Sequence, residues 1–207
     1  MEDLLRRERL SLVRHLRALD DEDWPRPSLC AGWAVRDVVA HLVTPFVVSL
    51  PRMAVSVLRH RGPAGAMDAW ARSIAQRPAA ELVDLLEANA GSTFHPPRMP
   101  LAAPLTDVLV HGVDVRWALQ GHPSVDHVDP ASVVPALELL TTRKAVGVFL
   151  PAGRLDGVRL VADDAAFSWG SGPTISGPAL ALAAGACGRE PAYALLDGEG
   201  VGAWRRS

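Results

Sequence analysis

Three polar side chains fall on one face of an otherwise apolar segment between Leu105 and Leu119. At about 3.6 residues per turn, Asp107, His111 and Asp114 stand at positions i, i+4 and i+7 of a helix and form a single stripe. The other positions are mostly Val, Leu or Trp, and a helix that is apolar on most sides is normally buried. We therefore expect the stripe to face a cavity or partner groups instead of bulk water.

A divalent metal is one group that this stripe could bind. The carboxylate of Asp107 and the imidazole of His111 are one helical turn apart, so both can point at the same cation. The alternative is that His111 is a core histidine whose ring is held by a backbone carbonyl or by Asp114. Spacing alone leaves both interpretations open.

A second histidine, His41, also lies in an apolar helical segment. Pro45 cannot donate a backbone hydrogen bond to the carbonyl of His41, which predicts a kink next to this histidine. A metal held by His41, Asp107 and His111 would use facing helices of a bundle, as bundle metal sites do. Four other histidines are expected to be solvated, namely His15, His60, His122 and His127.

The composition is that of an ordinary folded protein, with 49% hydrophobic and 21% charged residues among 207. A net charge of -2 provides no basic surface for a nucleic acid. Cys30 and Cys187 are too few for a disulfide framework and match a reducing compartment. The charged N-terminus lacks the apolar stretch of a signal peptide, and no segment reaches membrane-spanning length. We therefore expect a cytoplasmic protein that binds neither nucleic acid nor a membrane.

Helical periodicity dominates the first 150 residues, and strand-like alternation follows. Helices are predicted at about 2–20, 35–58, 67–76, 78–90, 104–120 and 130–149. Short strands at about 157–162, 166–169 and 174–176 precede an Ala-rich helix at 178–188. The expected fold is mainly α, with a helical bundle at residues 1–150 and a small α+β appendage at residues 151–207.

Two motifs resemble a known family of metalloenzymes. Residues 28–42 read SLCAGWAVRDVVAHL and residues 107–114 read DVLVHGVD. Together they resemble the mycothiol-dependent maleylpyruvate isomerase family, which belongs to the DinB-like metalloenzymes of actinobacteria. Residues 167–189 resemble the C-terminal region of the same family. The resemblance implies a DinB-like four-helix bundle that holds a divalent metal, usually zinc, near one end.

The same resemblance assigns the metal to His41, Asp107 and His111. Three protein ligands leave an open position for water or a thiol, as a catalytic zinc site requires. Asp114 then has two interpretations. It could accept a hydrogen bond from an imidazole N–H and fix the orientation of that ring, or it could be an ordinary helix-surface carboxylate that pairs with Arg116 or with a neighbouring loop.

The resemblance also implies an enzyme that uses mycothiol as cosubstrate. A coordinated thiol loses its proton at neutral pH. Its attack on an electrophilic carbon would give thiol transfer or, through addition, rotation and elimination, cis–trans isomerisation of a maleylpyruvate-like substrate. The expected partners are thus a small-molecule thiol and an electrophile, bound by a monomer or a homodimer.

Two departures from the family pattern favour an alternative, a non-catalytic DinB-like binding or regulatory module with a degenerate metal site. Asp107 stands where some members of the family have the longer Glu, and Val113 stands where many have a polar residue.

Three further residues near these motifs have open roles. Cys30 is interpreted as a small buried hydrophobe, because no base is visible beside it in the sequence. Arg189 is expected at the surface, although it could meet an anionic thiol or substrate. Gly112 costs a helix interior roughly 1 kcal/mol relative to Ala, which indicates close helix approach or ligand access.

Overall fold

The segment with the polar stripe forms a long helix in the computed structural model, which describes residues 1–206. The helices are α1 (Glu2–Leu16), α2 (Val35–Val47), α3 (Leu50–Arg59), α4 (Pro63–Ile74), α5 (Ala79–Ala88), α6 (Ala102–Gln120), α7 (Pro130–Leu140), α8 (Ala179–Ala186) and α9 (Val201–Arg206). The strands β1 (Arg159–Ala162), β2 (Ser168–Gly170) and β3 (Thr174–Gly177) lie between α7 and α8, and a 3-10 helix (Glu190–Leu195) precedes α9.

Four of the helices form a bundle in which α1 and α2 each pack against both α5 and α6. The α3–α4 hairpin lies outside this bundle, with α4 against α2. Along α6 the apolar residues are buried, and Gly121 ends the helix in the left-handed region with a φ of 76°. The predicted mainly α bundle is thereby confirmed. None of the helices within residues 1–206 has both the length and the apolar character that crossing a bilayer requires.

The helix that carries the predicted kink ends earlier than expected. Its first turn is held by half of a capping box, in which Oδ2 of Asp37 accepts from the backbone N–H of Ala34 at 2.9 Å. The helix continues through Pro45 and stops before Val48, whose backbone is extended at φ -111° and ψ 119°. The predicted 35–58 helix is therefore two helices, and Pro51 lies in the first turn of the second.

The helix after residue 130 is also shorter than predicted. The spacing of apolar residues predicted a helix that reaches Phe149, but α7 ends at Leu140. The hydroxyls of Thr141 and Thr142 donate to carbonyl oxygens three residues back, at 2.9 and 2.7 Å. Such local hydrogen bonds satisfy carbonyls of the last turn and compete with continuation of the helix, and apolar spacing does not reveal them.

The strands after Pro151 confirm the predicted α+β appendage. β1 lies between β2, to which it is antiparallel, and β3, to which it is parallel. Leu160 and Ile175 are buried on this sheet, and α8 packs against β1, β3 and α7. Side chains of the bundle and of the appendage share one hydrophobic core. The division into two domains at residue 150 stays a prediction.

His15 and His127 are more buried than the sequence predicted. Burial, together with the positive charge of nearby Arg116, lowers the pKa of each from the usual 6.5 to about 4. Nε2 of His15 is buried and has no hydrogen-bond partner within the described chain. The expectation that both side chains are solvated is wrong, because α1 packs against α6 where Arg116 lies.

We expect the protein to lose stability as the pH falls from about 6.5 to about 4. In this window the unfolded chain protonates His15 and His127 while the folded chain does not, so proton uptake favours unfolding. The expected loss is on the order of 1–3 kcal/mol per histidine. Urea unfolding at several pH values should show a weaker pH dependence for His15→Gln and an unchanged one for the exposed control His122→Gln. A free energy of unfolding that is constant across this window would contradict the prediction.

Candidate metal centre

Three side chains with metal-binding atoms converge where α2 meets α6. His41 comes from α2, and Asp107 and His111 come from consecutive turns of α6. Oδ1 of Asp107 lies 3.5 Å from Nε2 of both histidines, and the centres of the two imidazole rings are 4.8 Å apart. The fold thus brings together three residues that the sequence singled out, although His41 and Asp107 are 66 positions apart.

The distances within this cluster suit a tetrahedral divalent metal. Ligands bound at about 2.0–2.2 Å stand roughly 3.3–3.6 Å apart in a tetrahedron, and the two His–Asp pairs are both separated by 3.5 Å. All the potential ligand atoms lie within 4.8 Å of one another. The side chain of Asp107 is 31% exposed, against 15% for His41 and 13% for His111. Two imidazoles and one carboxylate that solvent can reach form a donor set typical of catalytic zinc.

A second cluster uses the other ring nitrogen of His111. Sγ of Cys30 lies 3.7 Å and Oδ2 of Asp114 lies 2.8 Å from Nδ1 of His111. The guanidinium of Arg189 already occupies this cluster, because it donates to both carboxylate oxygens of Asp114 at 2.8 and 2.6 Å and lies 3.4 Å from Sγ of Cys30. A fixed cation there would repel a metal ion. The set that uses Nε2 of His111 is therefore the better candidate.

Asp114 holds the ring of His111 in its orientation. The side chain of Asp114 is fully buried, with 0% exposed, and its Oδ2 accepts from Nδ1–H of His111. Because Nδ1–H is held by Asp114, Nε2 faces Asp107 and is the nitrogen that would lose its proton to bind a metal. Arg116, the alternative partner of Asp114, instead donates to the backbone oxygen of Ser11 at 2.9 Å.

Burial and neighbouring charges shift the pKa values of His111 and Asp114 in opposite directions. Burial alone would lower the pKa of His111, but its hydrogen bonds to Asp114 and Cys30 and the charge of Asp107 raise it to about 10. Burial would raise the pKa of Asp114, yet its bonds with Arg189 and His111 hold it well below the usual range. Both carboxylates are thus charged at neutral pH. The negative field that draws a proton to His111 also draws a divalent cation.

The loop before α2 forms a wall over the two imidazoles. Oγ of Ser28 donates to the carbonyl oxygen of Trp33 at 2.9 Å and so closes this loop on itself. The backbone N–H of Leu29 donates at 3.1 Å to a carbonyl oxygen of α6 and ties the loop to that helix. The indole of Trp33 then lies 5.3 Å from the ring centre of His41 and 6.4 Å from that of His111.

The roles of Cys30 and Arg189 were missed by sequence reasoning. The thiol of Cys30 donates to Oδ2 of Asp114 at 3.0 Å, so it makes a polar contact and does not act only as a hydrophobe. The side chain of Arg189 is 16% exposed and binds Asp114, which is 75 positions away. One available signal was Gly188, which adopts a φ of 84° after the Ala-rich helix and so reverses the chain just before Arg189.

Gly112 has open space in front of its Cα. A Cβ built at this position would meet no atom within 4 Å, so close helix approach does not explain the glycine.

We expect Gly112→Ala to raise the free energy of unfolding by up to about 1 kcal/mol through helix propensity, as measured by urea unfolding. A lower stability would contradict this prediction. Unchanged turnover in the variant would rule out the other interpretation, ligand access at Gly112.

Comparisons with known proteins point to one family. The family model of the mycothiol maleylpyruvate isomerase N-terminal domain matches residues 5–116, which is more than half of the chain and includes both sequence motifs. Two solved structures have the same fold, with TM-scores of 0.61 and 0.60: the crystal structure of a mycothiol-dependent maleylpyruvate isomerase and that of a histidine-to-alanine mutant. Each is 14% identical to the chain, and the alignment covers 96% of this chain and 91% of the other. A comparison with curated proteins gave no match.

Proposed function

The chain belongs to the family of the mycothiol maleylpyruvate isomerase N-terminal domain, and on that premise we propose that it is a metal-dependent enzyme with mycothiol as cosubstrate. His41, Asp107 and His111 would hold one divalent metal, and zinc suits their donor set. The thiol of mycothiol would add to an electrophilic carbon. Release of the conjugate would be thiol transfer, whereas rotation and elimination of the thiol would isomerise a maleylpyruvate-like substrate.

The observation that carries this proposal is the separation of 3.5 Å between Asp107 and each histidine. An N–H···O hydrogen bond is normally about 2.7–3.2 Å long, so the contact between His41 and Asp107 at 3.5 Å is a long one. The same separation matches that of two ligands on one tetrahedral metal. Asp107 reaches both rings although it is one methylene shorter than Glu. A degenerate site, the non-catalytic alternative, would have side chains that point apart.

The residues of the chain would have separate tasks in this reaction. A bound divalent metal would supply the acidity that deprotonates a thiol at neutral pH. Asp114 would keep Nε2 of His111 available by holding the proton on Nδ1. Trp33 would cover one side of the two imidazoles, and the exposed edge of Asp107 would leave the approach for the thiol.

Calorimetric titration with mycothiol tests the cosubstrate. We expect zinc-loaded protein to bind mycothiol, and we expect Asp107→Asn to weaken this binding at least about tenfold because a metal ligand is lost. The exposed carboxylate variant Asp126→Asn should bind as the parent does. Equal mycothiol affinity in Asp107→Asn and the parent would contradict the proposed site.

Product analysis separates the two reaction outcomes. Incubation of the zinc-loaded protein and mycothiol with maleylpyruvate should show an isomer by NMR if the thiol is eliminated again. Incubation with an aryl halide electrophile should show a thiol conjugate by mass spectrometry if the thiol is transferred. Absence of both products from folded, metal-loaded protein would favour the non-catalytic alternative.

A further inference from the structure

A groove between α3 and α4 shares no residue with the candidate metal centre. It encloses about 490 Å³, which lies within the roughly 300–1,000 Å³ of small-molecule sites. Three basic side chains line it, namely those of Arg52, Arg59 and His60. No carboxylate from the part of the chain that the structure describes contributes to the lining. The charge of the groove is therefore positive.

The two arginines of the groove have no carboxylate partner in the part of the chain whose side chains the structure describes. Within residues 1–205 no carboxylate oxygen lies within 4.0 Å of the guanidinium of Arg52 or Arg59. By contrast, Arg72 on the neighbouring helix α4 pairs with Asp68 at 3.0 Å. Arg52 and Arg59 are two turns apart on α3, so both guanidinium groups border the same groove. A guanidinium binds a carboxylate through two parallel N–H···O bonds, and neither of these two has such a partner among residues 1–205.

One more donor at this groove lacks an acceptor. The indole Nε1–H of Trp70 on α4 is buried and has no hydrogen-bond partner among the residues that the structure describes. Because an unpaired buried donor costs free energy, an acceptor oxygen brought by a ligand would stabilise this region. Ser56, which lies on α3 between the two arginines and is 7% exposed, adds a hydroxyl to the lining.

The rest of the groove is mostly apolar. Pro51, Val55, Ala69 and Trp70 line it together with Ser73, and Val55 is 65% exposed. Bare inorganic anions would leave this apolar surface in water. We propose that the groove binds a small amphipathic carboxylate, whose charged end meets Arg52 and Arg59 and whose hydrocarbon body covers Val55 and Trp70.

Octanoate is a suitable probe of this site. Isothermal titration calorimetry should detect its binding to the full chain with a Kd on the order of 1 mM or tighter, as expected for a ligand of about ten non-hydrogen atoms. In the double variant Arg52→Gln/Arg59→Gln the affinity should fall at least about tenfold, because charge-assisted hydrogen bonds are lost. The control Arg61→Gln removes an arginine that follows α3 but does not line the groove, and it should leave binding unchanged.

A second measurement locates the probe. The indole N–H signal of Trp70, assigned by its loss in Trp70→Phe, should shift in ¹H–¹⁵N NMR spectra as octanoate is added. Signals of the other indoles serve as internal controls.

The proposal would be overturned by absence of octanoate binding, by an unaltered affinity in the double variant, by equal binding of the neutral analogue octanamide, or by equal binding of inorganic phosphate. Binding of the chain to anionic lipid vesicles without a response to free octanoate would also overturn it and would identify a membrane surface as the occupant. None of these outcomes depends on metal or mycothiol, so failure here is separable from failure of the proposed activity.

Discussion

The His41→Ala variant is expected to fold like the parent and to bind less than about a tenth of an equivalent of zinc, because one of only three protein ligands is gone. His41 is the cleanest of the three to remove, since its Nδ1 has no hydrogen-bond partner within the described chain. Turnover with mycothiol should fall at least about a thousandfold, as expected when the group that activates the nucleophile is lost. Elemental analysis of protein reconstituted with zinc is the primary measurement.

A matched control distinguishes loss of the site from a general effect of losing a histidine. His95 is exposed in the loop between α5 and α6, where Nδ1 faces the backbone oxygen of Thr93 at 2.9 Å. His95→Ala should retain the full zinc content and the full activity of the parent. Equal zinc content in His41→Ala and His95→Ala, or content below a tenth of an equivalent in the parent, would show that His41 holds no metal.

The proposed ligands of the candidate centre could be named from the sequence because most of the signal for them is local. Asp107 and His111 share a helix, and helical periodicity alone places them on one face. Periodicity could not add His41 to this set. Only the resemblance to a family indicated that its helix lies beside α6. The ends of α2 at Val47 and of α7 at Leu140 were not predictable from apolar spacing, since the extended Val48 follows the first and two threonine hydroxyls follow the second.

The network around Asp114 was not predictable, because it depends on contacts between distant segments. Cys30 comes from the loop before α2, and Arg189 follows α8, yet both donate to the carboxylate of Asp114. Composition and helical periodicity do not indicate which residues far apart in the sequence will be in contact. In this network the appendage contributes a charge that stabilises a carboxylate of the bundle, and that carboxylate holds His111. The candidate centre therefore depends on the C-terminal region, although its three proposed ligands all lie in the bundle.

Asp114→Asn tests this dependence, and it is expected to lower the free energy of unfolding by about 3–5 kcal/mol because the buried guanidinium of Arg189 loses its carboxylate. Zinc affinity should fall about 10–100-fold, since the neutral amide can donate to Nδ1 as well as accept from it and no longer fixes the proton on that nitrogen. Urea unfolding and a zinc titration measure the two effects separately. In the double variant Asp114→Asn/Arg189→Met the unpaired charge is absent, so part of the stability should return while the zinc affinity stays low. A stability change within about 0.5 kcal/mol for Asp114→Asn, typical of surface positions, would show that the network does not couple the appendage to the centre.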